Sequence, residues 1–116
     1  MLFKKITPRE AFIGICLSMA GVDGFVDPRE MIKIDEILTR YGFTDQEVDK
    51  VFKTLSKMNP KKAFDWGAKA MSAIIDLDFQ MKRNLLIALK EIAEADENID
   101  DMEVTLFRSV EAVLNL

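Results

Sequence analysis

The chain has no histidine and one cysteine, Cys16, among its 116 residues. Without a second cysteine no disulfide can form inside the monomer, and without histidine a Cys/His zinc site is excluded too. Any metal the chain holds has to be held through oxygen. The usual imidazole acid or base is missing as well, along with any glycine-rich phosphate loop or activated-nucleophile constellation, which argues against an enzyme. Cys16 shares an apolar helical face with Ile13, Leu17 and Ala20 and has no basic neighbour to stabilise a thiolate, so it reads as a core residue.

Long apolar runs are also absent. The stretch from Ala11 to Val22 is too short to span a bilayer. Lys4, Lys5 and Arg9 in front of it give the outline of a secretory signal, but Pro8 and Glu10 interrupt the handover to the apolar part. The segment also forms the first half of a repeat described below, so it is expected to stay in the folded protein. No alternating strand pattern competes with the helical periodicity, and the basic stretches lack the interleaved aromatics and module signatures of nucleic-acid binding.

What remains is ordinary in bulk and uneven in detail. Hydrophobic residues make up 49% and charged residues 31%, as in soluble globular proteins, and the length suits one compact domain over residues 1–116. The net charge of −4 conceals segment totals of −3 for residues 1–49, +6 for residues 50–90 and −7 for residues 91–116. Such a split predicts surfaces of opposite sign suited to docking a protein or a membrane surface.

The most informative pattern occurs twice. Asp23-Gly-Phe-Val-Asp27-Pro-Arg-Glu30 and Asp96-Glu-Asn-Ile-Asp100-Asp-Met-Glu103 both read Asp-x-x-aliphatic-Asp-x-x-Glu, 73 residues apart, with Ala20 and Ala93 three residues before the first Asp of each. The apolar helical pattern on both sides of each copy predicts a duplicated helix-loop-helix unit, near 8–41 and 78–115.

Helix starts are marked by capping boxes at Thr7/Glu10, Asp27/Glu30, Thr44/Glu47 and Asp100/Glu103, with proline at the first helical position in the first two and after Asn59. These predict helices near 8–22, 28–41, 45–58, 60–75, 78–95 and 101–115, with Gly42 as a left-handed stop and a break at Asp76 to Asp78. The expected core faces are Ile34, Ile37, Leu38 and Tyr41; Val48, Val51, Phe52 and Leu55; Met81, Leu85, Ala88, Leu89 and Ile92; and Val104, Phe107, Val110 and Leu114. Trp66, on a helix with Phe64, Ala70 and Met71, reads as packing.

Capping alone accounts for Asp27, Glu30, Asp100 and Glu103, since Asp and Glu are favoured at those positions by about 1 kcal/mol each. It does not account for Asp23 and Asp96, which fall where the preceding helix dipole disfavours negative charge. Around the second copy Glu91, Glu94, Asp96, Glu97, Asp100, Asp101 and Glu103 crowd together with no base among them. An all-oxygen donor set points to a hard ion, Ca²⁺ or Mg²⁺. It is not an EF-hand loop: counted from Asp96, Asp101 stands where that loop needs Gly and Phe107 where it needs Glu, and counted from Asp23, Phe25, Pro28 and Ile34 break the pattern.

The segment Ala20 to Glu30 followed by an amphipathic helix resembles the signature of TerB-like, tellurite-resistance-associated domains, and Ala93 to Glu103 resembles its repeat. The resemblance implies an all-α bundle of six to seven helices with internal pseudo-two-fold symmetry. It also implies a divalent-cation site at paired acidic motifs, here Asp23, Asp27, Glu30, Asp96, Asp100 and Glu103, in cytoplasmic bacterial stress-response proteins sometimes peripheral to the inner membrane. Glu97 departs from the Gly expected at the position matching Gly24. The expectation is a non-enzymatic module that binds a cation through its two loops and presents them to a protein partner. The alternative is a metal-independent protein- or membrane-docking module whose acids are helix caps.

Overall fold

The computed structural model describes residues 5–21, 28–95 and 101–116. Among them the chain forms six α-helices and no strand: α1 Pro8–Gly21, α2 Pro28–Arg40, α3 Asp45–Ser56, α4 Pro60–Ala73, α5 Phe79–Ala95 and α6 Asp101–Leu114, with a 3₁₀ turn at Ile74–Asp76 between α4 and α5. The boundaries expected from capping residues hold to within about two residues, apart from that turn. There the chain tightens to bury Ile74 and Leu77 while leaving Ile75 outside.

The centre of the bundle is α1. A helix that is apolar on all sides belongs inside a protein, and Ala11, Phe12, Ile13, Ile15, Cys16, Leu17 and Met19 are all buried. Helices α2, α3, α4 and α5 and the 3₁₀ turn all pack on it, while α5 also packs on α2 and α6. The helices that lead into the two acidic segments, α1 and α5, therefore lie against each other in the core.

Local chemistry fixes the ends. Thr7 Oγ1 accepts from the Glu10 N–H at 3.1 Å and Glu10 Oε1 accepts from the Thr7 N–H at 3.3 Å, which closes the expected box. After α2 the backbone turns left-handed at Gly42, with φ of 87°. Gly42 N–H donates to the Thr39 carbonyl and Phe43 N–H to the Leu38 carbonyl, the Schellman pattern that satisfies the last turn of a helix. The turn delivers Phe43 onto Phe12, ring centroids 4.9 Å apart.

Arg9 locks the same corner. Its guanidinium bonds both carboxylate oxygens of Glu47 at 3.0 Å and the Gly42 carbonyl at 3.1 Å, and it lies over the Phe43 ring. Glu47 also caps α3 by accepting from the Thr44 N–H at 2.8 Å. The Arg9 guanidinium and these hydrogen bonds hold the Glu47 carboxyl down at about 2. Asp78 caps α5 by accepting from the Met81 N–H at 2.8 Å; it escapes the capping-box pattern because Met81 stands where that pattern has Glu or Gln.

Two expected core positions turn outward, Phe52 at 45% exposure and Val104 at 39%, and Phe64, on the helix of Trp66, is 78% exposed. Tyr41, Val48, Leu55, Met81 and Phe107 pack against the core from its margin. For α3 the reason is the number of neighbours: its main contact is α1, so only Val51 of its four-residue stripe is fully covered. Trp66 does pack. Its ring lies against the backbone of Gly14 where α4 crosses α1, in space that a side chain at residue 14 would occupy.

Candidate functional site

Asp23, Asp27, Asp96 and Asp100 lie outside the described residues, as do Gly24 and Glu97 and the capping roles assigned to Asp27 and Asp100. Glu30 and Glu103, the last acid of each copy, stand in the first turns of α2 and α6. Both are 4% exposed, and they are the only buried polar or charged residues among those described.

That burial is more than capping requires. Glu10 and Glu47 occupy the same third helical position at the starts of α1 and α3, and both are half-buried with their carboxylates reaching the capping residue. A capping glutamate can therefore serve this fold from the surface. Moving a carboxylate out of water costs several kcal/mol and is sustained only where hydrogen bonds, a cation or both compensate it. The two copies accept that cost at the same position. Residues around them stay exposed, Arg29 beside Glu30 and Asp101 and Met102 beside Glu103, so the burial belongs to these side chains and not to the whole helix start.

The acid cluster of the second copy is smaller than its sequence suggests. Glu91 has a basic partner on another helix: Arg40 Nη1, at the end of α2, donates to both its oxygens at 3.0 and 2.9 Å. The pair raises the Arg40 pKa further and ties the helix that leaves the first acidic segment to the helix that enters the second.

Among the described residues no group of three or more Cys, Asp or Glu is gathered as metal ligands. The donor chemistry still fits a hard divalent ion, because Glu30 and Glu103 offer oxygen only and the one thiol is sealed in the core. Cys16 is wholly buried on α1, and burial pushes its thiol pKa up. None of the described helices is long and apolar enough to cross a membrane.

Fold and site define a small all-α domain in which one acidic signature occurs twice in the sequence and its last glutamate is buried both times. The family model of the tellurite resistance protein TerB matches residues 9–116, and the chain belongs to that family. It is similar in fold to the crystal structure of a protein of unknown function, PG1108 from Porphyromonas gingivalis W83. The TM-score is 0.67 at 24% identity, over 100% of this chain and 87% of the other. No curated protein matches the sequence.

Proposed function

We propose that this chain is a non-enzymatic binding module that takes up a divalent cation, Ca²⁺ or Mg²⁺, through Asp23, Asp27, Glu30, Asp96, Asp100 and Glu103. The observation that carries the proposal is the matched burial of Glu30 and Glu103 at 4% exposure, while Glu10 and Glu47, at the same helical position but outside the acidic signature, remain partly in solvent. When bound, the ion supplies positive charge to the acidic loops. Glu30 and Glu103 would offer carboxylates from the first turns of α2 and α6, and the four aspartates of the two signatures would complete the donor set. The work of the module is to present the two acidic motifs to a protein partner in a bacterial cytoplasmic stress response, a reading supported by the tellurite resistance that the family's description names.

Titration of the metal-free protein with Ca²⁺, Mg²⁺ and Mn²⁺ tests this by calorimetry and backbone NMR. The expected result is saturable heat with shifts confined to residues 23–30 and 96–103. Glu30→Gln and Glu103→Gln should each weaken binding at least tenfold, about 1.4 kcal/mol, and Asp23→Asn with Asp96→Asn should abolish it. Absence of saturable heat, or shifts spread over the basic helices, sinks the site.

A further inference from the structure

The face of the bundle formed by α2 and α3 carries a groove that the acidic motifs do not explain. It has a volume of about 540 Å³, and its floor is Leu17, Met31, Val48 and Phe52. An adjoining depression continues it past Ile32 and Ile34. Phe52 is 45% exposed and Ile32 62% exposed, so two large apolar side chains stand in solvent at neighbouring places. Exposed apolar surface of this kind, rimmed by polar groups, marks interaction sites.

The rim has one sign. Asp35 borders the groove from α2, and Asp45 and Asp49 border it from α3; among the described residues no Lys or Arg lines either depression. Residues 45, 48, 49 and 52 are spaced as one face of a helix, so α3 alternates acid and apolar side chains along the face it offers. Asp49 is engaged by Lys53 at 2.9 Å, with both side chains more than half exposed. A pair so exposed is worth little and can be exchanged for an incoming cation.

We infer that this groove docks an amphipathic helix of a partner protein, apolar along one stripe and basic on both flanks. The apolar stripe covers Ile32 and Phe52 in the helix-in-groove manner, and the flanking cations meet Asp35, Asp45 and Asp49. The same acids make the face repel anionic lipid headgroups, which separates it from a membrane-docking surface. The inference does not depend on the cation site, although Met31 and Ile32 follow Glu30 directly along α2.

A synthetic helix of about 18 residues, long enough to hold helical structure, tests the groove, with leucines on one stripe and lysines on both flanks. Controls are a scrambled peptide of the same composition and a version with Glu for Lys, and titrations are run with Ca²⁺ and again with chelator so that loss of cation binding leaves the peptide result standing. Expected are saturable binding of the basic amphipathic peptide alone and NMR shifts at residues 31–35 and 45–52. Affinity should drop at least tenfold in both Ile32→Ser and Phe52→Ser, variants at exposed positions whose helicity is verified by circular dichroism. Asp35→Asn with Asp45→Asn and Asp49→Asn should flatten the salt dependence. Equal binding of the scrambled or acidic peptide, shifts elsewhere, or indifference to Ile32→Ser and Phe52→Ser overturns the inference. So does concentration-dependent self-association removed by Phe52→Ser, which would assign the groove to a second copy of the chain.

Discussion

Gly14→Ala probes one contact above all, because the three atoms nearest the added methyl all belong to Trp66. A Cβ built on Gly14 falls far inside van der Waals contact with Cη2 and Cζ3 of Trp66, and 3.2 Å from Cζ2. On helix propensity alone the substitution should stabilise α1 by about 1 kcal/mol. Against that, overpacking costs about 1–3 kcal/mol, and the upper end applies because an indole ring cannot flex away as a chain end can. The net expectation is a loss of about 2 kcal/mol, or roughly 8 °C in Tm for a domain of this length. Trp66 is the only tryptophan, so its fluorescence reports on the contact directly. The ring also lines a surface concavity with Met58 and Lys62, and displacement toward it should red-shift the emission. In a double-mutant cycle, Trp66→Phe should recover most of the loss from Gly14→Ala, since a smaller ring leaves room for the methyl. A Gly14→Ala variant more stable than the parent, with unchanged emission, would refute the packing.

Three further outcomes can be measured on the same material. Glu47→Gln should cost about 1 kcal/mol at neutral pH, given the modest worth of a part-exposed pair. Because the folded-state pKa is depressed from 4.5 to about 2, the parent's advantage should be full above about pH 4.5 and vanish as pH falls through 2, read from paired thermal melts. Gly42→Ala and Gly67→Ala should move stability in opposite directions: neither Cβ meets an atom within 4 Å, but residue 42 sits at φ of 87° while residue 67 is mid-helix, so about 1 kcal/mol is lost at the first and gained at the second, as chemical denaturation should show. Cys16, buried with its thiol pKa raised, should resist a thiol reagent in the native protein at about pH 8 and react fully in concentrated guanidinium.

The helices were legible because their starts are written in local chemistry. Thr7, Thr44 and Asn59 bond the N–H groups their positions leave open, and Gly42 takes the one conformation that stops α2. Such signals act within a few residues of the chain and survive any tertiary arrangement. Burial does not. Helical periodicity shows which face of α3 is apolar, but whether Phe52 is covered depends on how many helices lie beside α3, and that is decided by residues distant in sequence. The 3₁₀ turn at Ile74–Asp76 has no local signal for a related reason: the apolar pattern runs on through Ile74 and Ile75, and only packing of Ile74 against the core favours tightening. The salt bridge of Arg40 to Glu91 spans 51 residues, and nothing near either residue announces it.

The fold also redistributes weight within the acidic signature. On sequence grounds its third acid is the least demanding, since a glutamate at the third position of a helix is favoured by capping and dipole alone. Glu10 and Glu47 show that this fold uses such glutamates at the surface. Glu30 and Glu103 follow the same local rule yet are drawn inside, so the fold asks something of them that it does not ask of Glu10 and Glu47. Asp27→Asn and Glu30→Gln therefore make a discriminating pair. If the acids serve only as caps, both variants should lose a few tenths of a kcal/mol and leave cation response intact, because Asn and Gln cap helices nearly as well. If Glu30 is a ligand, Glu30→Gln should remove most of the rise in Tm on adding Ca²⁺ or Mg²⁺, a rise that mass action sets at about 2.7 kcal/mol when the ion stands at a hundred times its Kd.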